Sequence, residues 1–156
     1  MSQLKAHPRD DGVHHLNVYT KAVTVLGRWL SNFTHSPFTH PEYGKFESME
    51  GFYYWVKTGM SHHTLKSCWG FKAKEEGKKY NFVKNKDFYK IIKSGIKCKI
   101  EQNKEFKEKF IENKLPFEHY YYYGNIVNAE PKIIVPPGRT MLINILEELK
   151  KEFQEV

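Results

Sequence analysis

The sequence predicts an α+β fold that is rich in helices and has a few short strands near the N-terminus. Apolar residues recur at helical spacing in three segments, 48–57, 87–100 and 139–153. The segments 16–19 and 22–26 instead predict strands, because Val23 and Val25 alternate around Thr24 in the second of them. The 156 residues suffice for a single domain, 14–156, after a polar segment 1–13 that we expect to be a mobile leader.

The helix at 48–57 carries the most information. Ser48 is suited to the N-cap, where a hydroxyl accepts a hydrogen bond from a free backbone N–H. Glu50 lies in the first turn, where the helix dipole favours the ionised carboxylate unless burial raises its pKa. Such a residue either complements the dipole or belongs to a site. The residues predicted to share the buried face are Met49, Phe52, Tyr53 and Val56.

The other two helices show the same apolar periodicity. The middle helix follows Asp87, and the final helix follows Pro136-Pro137-Gly138, a sequence that favours a turn. The apolar stripe of the middle helix consists of Phe88, Ile91, Ile92, Ile96 and Ile100, and that of the final helix consists of Met141, Leu142, Ile145, Leu146, Leu149 and Phe153.

The composition narrows the class of protein. The net charge of +7 suits a phosphate-bearing ligand or a nucleic acid, although lysines spread over amphipathic segments also suit a solvated face. Aromatic residues make up 15% of the chain, which suits either an AT-rich genome, such as that of a phage, or a pocket that stacks flat rings. Since no secretory signal or membrane span is present, we expect a cytoplasmic protein (host cytoplasm if a phage encodes it) with reduced Cys68 and Cys98.

Neither a metal nor a cofactor is predicted. The histidines and the two cysteines do not have the spacing of zinc ligands. The sequence after Pro137 lacks the Gly-Lys-Ser/Thr ending of a phosphate-binding loop, and no strand is followed by a dinucleotide-binding glycine pattern.

Several motifs along the chain resemble the NADAR superfamily, the YbiA-like proteins. The first runs from Leu-Ser-Asn-Phe at 30–33 through Ser-Pro-Phe at 36–38 to Ser48, Glu50 and Lys57. Further matches lie at 73–78, at 99–107 and, in a degraded form, at 138–150. Because these segments occur in the family's order from 19 to 150, the resemblance implies a YbiA-like fold for nearly the whole chain.

The resemblance also implies a function. Members of this superfamily are linked to cleavage of N-glycosidic bonds, in riboflavin-pathway intermediates or in ADP-ribosylated guanine of nucleic acid. Breaking such a bond builds positive, oxocarbenium-like charge on the ribose, which a carboxylate stabilises. Glu50 is the matching carboxylate. The residues implied to bind substrate are Ser31, Asn32, Phe33, Phe52, Tyr53, Lys57, Lys78, Tyr123 and Gly124.

Each of these binding residues also has a structural interpretation. Ser31 and Asn32 suit a turn, the aromatic rings suit a core, and the lysines suit an exposed surface. The chain also departs from the family: Tyr120 stands where the family has an Asp, and only Glu118 or His119 nearby could replace it. The alternatives to an enzyme are therefore a protein that binds a nucleotide, an ADP-ribose ligand or nucleic acid without catalysis, or a protein-interaction domain.

Overall fold

The computed structural model describes residues 6–124 and 130–155. The chain divides into two compact units: unit 1 comprises Met1–Leu30 with Lys109–Val156, and unit 2 comprises Ser31–Glu108. The described residues form six α-helices and six strands of two or three residues each. The helix-rich α+β class is thus confirmed, although strands also occur in the C-terminal half of the chain, where none was predicted. None of the helices in the described ranges is long and apolar enough to cross a membrane.

Unit 2 is built around the predicted helix, here α2 (Met49–Lys57). A hairpin of β2 (Phe38–His40) and β3 (Gly44–Phe46) precedes it. A 3-10 turn (His63–Ser67) and the helices α3 (Gly70–Gly77) and α4 (Phe88–Glu101) follow it. Helix α2 packs against β3, the 3-10 turn, α3 and α4. Helix α5 (Lys104–Glu112) begins in this unit.

Helix α2 starts and buries its face as predicted. The Ser48 side chain accepts a hydrogen bond from Gly51 N at 3.0 Å, which makes Ser48 the N-cap. Met49, Phe52 and Val56 are fully buried, whereas Tyr53 is only half-buried. The helix is also buried at Tyr54 and Trp55, because neighbouring elements pack on more than one of its sides.

Two glycines allow the helices of unit 2 to approach closely. A Cβ atom at Gly95 in α4 would lie 2.5 Å from the Phe52 ring, and one at Gly77 in α3 would lie 2.3 Å from the Tyr54 ring. Both distances are too short for real atoms. Only glycine, which has no Cβ atom, therefore allows α3 and α4 to pack this closely against α2.

Unit 1 contains two strand pairs and one helix with a long apolar stripe. Strand β1 (Leu16–Asn17) pairs in parallel with β4 (Phe117–Glu118), and β5 (Tyr121–Tyr123) pairs antiparallel with β6 (Lys132–Ile134). Helix α6 (Arg139–Gln154) buries the predicted stripe apart from Met141, which is half-buried. The remaining helices are α1 (Val25–Leu30) and the end of α5.

The strand predicted at 22–26 is wrong. Helix α1 begins at Val25, and the Thr24 hydroxyl accepts a hydrogen bond from Gly27 N at 2.9 Å, as an N-cap does. Gly27 lies so close to Asn17 O that a Cβ atom there would be 2.2 Å away. This tertiary contact and the cap outweigh the strand preference of two valines.

The segment predicted as a leader is partly tied to unit 1. Residues 1–5 lie outside the described residues, and Pro8–Asp10 forms a 3-10 turn. Asp11 is buried, and its two carboxylate oxygens accept hydrogen bonds from Asn17 N and Val23 N, both at 2.9 Å. A short acidic side chain that caps two loop amides therefore anchors part of the polar segment.

The close approach at Gly95 predicts a stability effect. We expect Gly95→Ala to lower the free energy of unfolding by about 1–3 kcal/mol, because the new methyl group must displace the buried Phe52 ring. Urea unfolding followed by circular dichroism measures this change. Gly138→Ala is the control, since nothing lies within 4 Å of a Cβ atom there, and it should cost less than about 1 kcal/mol. Equal losses in the two variants would contradict the packing argument.

Candidate functional site

Glu50 is held at the start of α2 by the Leu-Ser-Asn-Phe loop. Its backbone N–H donates to Asn32 O at 2.9 Å. Burial raises the pKa of the Glu50 carboxyl to about 7, against the opposing effect of Lys74, Lys99 and Lys57. Of the two influences predicted for this carboxyl, the helix dipole and burial, burial has the largest effect on the pKa and outweighs the three cations. At neutral pH Glu50 can both accept and release a proton.

Lys99 faces the same region from α4 and is the main residue that the sequence analysis missed. Only 4% of its surface is exposed, and its Nζ donates to Ser31 O at 3.0 Å. Burial lowers the pKa of Lys99 to about 7, while the Glu50 charge acts to raise it. Since a buried lysine is costly unless its charge is compensated, this pair of shifted groups marks the strongest site candidate in unit 2.

A signal for Lys99 was present in the sequence. It lies seven residues after Ile92 and four after Gly95, and both are buried positions of α4. A lysine within an apolar stripe is rare without a partner, so its position alone singles it out.

The loop at 31–34 presents an unsatisfied polar atom next to this pair. Ser31 forms the turn: its Oγ accepts from Phe33 N at 3.3 Å and its carbonyl accepts from Thr34 N at 3.3 Å. The Oδ1 atom of Asn32 is buried and has no hydrogen-bond partner among the described residues. The turn is thus stabilised by Ser31, and the Asn32 oxygen is available to a ligand.

Exposed aromatic rings adjoin the loop. Phe33 is half-buried, and its ring meets that of Phe71 edge to face with centroids 5.1 Å apart. Phe71 is 71% exposed, and Trp69 nearby in the chain is also exposed. Large exposed rings beside a buried polar pair can stack against a flat ligand. Neither Trp69 nor Phe71 was predicted as a site residue, because neither belongs to the motif.

Tyr53 and Lys57 form a second cluster on α2. Lys57 Nζ donates to the Tyr53 hydroxyl at 2.9 Å and lies 4.3 Å from the centroid of the Phe82 ring. The Tyr53 ring also contacts Phe88, with centroids 5.6 Å apart. Lys57 is therefore a half-buried, oriented cation whose charge acts on Glu50.

Four other predicted binding residues lie outside these clusters. Phe52 is fully buried among the rings of Phe38, Phe46 and Trp55, so its assignment to a binding surface is corrected to the core. Lys78 is exposed at the C-cap of α3. Tyr123, 57% exposed at the end of β5, and Gly124, with φ of +98°, belong to unit 1.

The residues considered in place of the family's Asp have structural partners. Tyr120 is fully buried, with its hydroxyl 2.7 Å from His15 Nε2. Glu118 accepts two hydrogen bonds from Arg139, at 2.8 and 2.7 Å, and His119 Nδ1 lies 2.7 Å from Val18 O. Each side chain is thus accounted for within unit 1.

The described geometry defines a helix-rich α+β protein in which a half-buried carboxyl, Glu50, and a buried lysine, Lys99, both adjoin an aromatic loop. No known family profile matches the chain, and no curated protein matches it significantly. The NMR structure of the E. coli protein YbiA is similar, with a TM-score of 0.65 and 15% identity over 96% of this chain and 94% of that chain. At this identity the similarity shows the fold, and the YbiA-like fold implied by the motifs is confirmed.

The shifted pKa values of Glu50 and Lys99 predict an unusual dependence of stability on pH. Because the pKa of Glu50 is raised from 4.5 to about 7 on folding, its protonated form stabilises the protein at low pH, and this contribution is lost as the pH rises from about 4.5 to 7. Because the pKa of Lys99 is lowered from 10.5 to about 7, its neutral form restores stability as the pH rises from about 7 to 10.5.

We therefore expect the contribution of this pair to stability to be lowest near pH 7. Urea unfolding at pH 5, 7 and 9 tests this against Glu50→Gln/Lys99→Met, which removes both charges while approximating both shapes. The wild type should lose about 1–3 kcal/mol relative to the double variant between pH 5 and 7 and regain it by pH 9. Parallel profiles for the two proteins would show that the pair does not titrate in this range.

Proposed function

We propose that the protein hydrolyses the N-glycosidic bond of a riboside or an ADP-ribose-type substrate. The observation that carries the proposal is that Glu50 and the buried Lys99 are both held by the loop at 31–34: Glu50 N donates to Asn32 O at 2.9 Å and Lys99 Nζ donates to Ser31 O at 3.0 Å. The charge of each acts on the other, and both have pKa values of about 7. The YbiA-like fold and the motif resemblance support the reaction class. Riboflavin-pathway intermediates and ADP-ribosylated bases are the substrate types proposed.

Glu50 can supply the chemistry of this reaction in either protonation state. As a carboxylate it stabilises the positive charge that develops on the ribose and takes a proton from the attacking water. As a carboxylic acid it can protonate the departing base. Lys99 acts as a positioning residue, since its ammonium holds the Ser31 carbonyl and opposes the rise in the pKa of Glu50.

The surrounding residues suit recognition of a nucleoside. The unpaired Asn32 oxygen can accept a hydrogen bond from a ribose hydroxyl or a base amine. Phe33 and Phe71 offer ring surfaces for a base. Lys57 and Lys74, whose charges act on Glu50, are the candidates for contacts with phosphate.

The second candidate function is binding of such a ligand without turnover. It is favoured by Tyr120, which occupies the position of the family's Asp and is fully buried in unit 1, where a phenol hydrogen-bonded to His15 cannot replace a carboxylate. If catalysis requires two acids, this chain would bind ribosides and release them unchanged.

Activity and the role of Glu50 can be tested together. The protein is incubated with NAD, ADP-ribose, ribosylated pyrimidines and DNA containing ADP-ribosylated guanine, and released base is detected by mass spectrometry. We expect release with at least one substrate and a loss of ~100-fold or more in Glu50→Gln, as for removal of a positioned acid–base group.

Glu75→Gln is the matched control, because Glu75 is an exposed carboxylate on α3, and its activity should equal that of the wild type. If no base is released but a ligand raises the melting temperature, the binding function replaces the enzyme. Absence of both effects would reject the two candidates.

Asn32 gives a separate prediction about binding. We expect Asn32→Leu to abolish ligand-dependent thermal stabilisation without lowering the free energy of unfolding, because the lost oxygen has no partner in the protein. In the control Asn113→Leu, the amide forms hydrogen bonds with both Leu115 N and Leu115 O, so stability should fall by about 1–3 kcal/mol. A comparable loss of stability in Asn32→Leu would instead assign Asn32 a structural role.

A further inference from the structure

We infer that the segment 78–90, Lys-Lys-Tyr-Asn-Phe-Val-Lys-Asn-Lys-Asp-Phe-Tyr-Lys, forms a binding surface for single-stranded nucleic acid. This segment, here called the basic strip, comprises the connection from α3 to α4 and the first three residues of α4. The inference does not depend on hydrolysis or on Glu50. It assigns a function to a part of unit 2 that the proposed reaction leaves unused.

The positive charge of the chain is concentrated in unit 2. Fifteen lysines and nine acidic residues give this unit a formal charge of +6 out of the total of +7. The basic strip alone contains five lysines and a single acidic residue, Asp87. Such a local excess of cations attracts the phosphates of a nucleic acid.

Besides the exposed Lys78, three of these lysines are exposed and without an ion pair in the described ranges. Lys84, Lys86 and Lys90 are exposed and form no ion pair with any carboxylate in the described ranges. Lys79 differs, because its Nζ is paired with Glu76 at 2.8 Å. The three available ammonium groups can therefore contact phosphates without breaking an existing ion pair.

The backbone of the basic strip is held in place although residues 81–85 have no regular secondary structure. Val83 N donates to Lys57 O at 2.9 Å, which attaches the strip to the end of α2. The Asn85 side chain accepts from Asp87 N at 2.9 Å and donates to the sulfur of Met60 at 3.7 Å. A surface ordered before binding loses little conformational entropy when a ligand arrives.

Aromatic rings are placed between the lysines. Phe82 is 59% exposed, although Lys57 Nζ lies 4.3 Å from its ring centroid. Tyr80 stacks on His62 with centroids 3.5 Å apart, and both residues line a shallow groove of about 510 Å³ together with the exposed Asn81. Exposed rings with neighbouring cations and amides are the elements that bind unpaired bases.

This combination favours a single strand over other polyanions. A duplex keeps its bases stacked inside, so Phe82 would remain unused, and an acidic polypeptide would use the lysines but has no bases to stack. A strand bound along the basic strip would pass beside Lys57, whose charge also acts on Glu50.

Fluorescence anisotropy with a labelled 15-nucleotide DNA, the same sequence as RNA, and the DNA duplex tests the inference between 50 and 200 mM salt. We expect both single strands to bind more tightly than the duplex, and their relative affinity shows which nucleic acid is preferred. A plot of the logarithm of the affinity against the logarithm of the salt concentration should have a slope of about −0.7 for each phosphate contact. Lys84→Gln/Lys86→Gln/Lys90→Gln should reduce the magnitude of this slope by about 2.

The control triple variant, Lys109→Gln/Lys114→Gln/Lys132→Gln, makes the same charge change at exposed lysines of unit 1 and should bind like the wild type. Phe82→Ala should weaken binding on the order of tenfold without altering the salt slope, because it removes stacking alone. Circular dichroism confirms that each variant is folded.

The inference would be overturned if the control triple variant of unit 1 weakened binding as much as the triple variant of the basic strip. The attraction would then come from the overall positive charge and not from this surface. It would also be overturned if Phe82→Ala had no effect, if the duplex bound more tightly, or if polyglutamate competed as well as DNA. Glu50→Gln should bind like the wild type, so failure of the proposed hydrolysis and failure of this surface are distinguishable.

Discussion

The burial of Lys99 beside Glu50 is the interaction on which the organisation of unit 2 depends. An ammonium group inside a protein must be neutral or find a counter-charge and acceptors. Lys99 obtains them from the Ser31 carbonyl and from Glu50, and the Glu50 amide in turn binds the Asn32 carbonyl. These contacts connect α4, the loop at 31–34 and the first turn of α2, which are distant in sequence.

The same interaction gives the site its chemical character. Burial moves the pKa values of a carboxyl and an amine in opposite directions until both lie near 7. Two groups that exchange protons near neutrality are suited to acid–base chemistry on a substrate, and they cost stability at the pH where they are most useful. The packing around them, with Gly95 against Phe52 and Gly77 against Tyr54, supplies the rigidity that such a site requires.

The units of the chain differ in charge and in the role of their polar residues. In unit 1, polar side chains have structural roles. Asp11 accepts a hydrogen bond from a backbone amide, Tyr120 is hydrogen-bonded to His15, and Glu118 forms an ion pair with Arg139. Unit 2 carries almost all of the net charge, an unpaired buried oxygen at Asn32, and exposed rings at Phe71 and Phe82. The features that point to a ligand therefore lie mainly in unit 2.

The sequence by itself determined the local structure. The N-cap at Ser48, the buried stripes of α2 and α6 and the helical periodicity of α4 follow from neighbouring residues, because caps and helical faces are short-range properties. The motifs of the loop at 31–33 and of Glu50 led to the YbiA-like fold. The tertiary structure alone decided what depends on distant contacts. Burial placed Phe52 in the core. The approach of Gly27 to Asn17 O favoured a helix where a strand was predicted, and the packing of α4 against α2 brought Lys99 to the loop that holds Glu50. The pKa of Glu50 shows the reason: a cap depends on adjacent residues, whereas desolvation, the largest influence on this pKa, is produced by the whole surrounding fold.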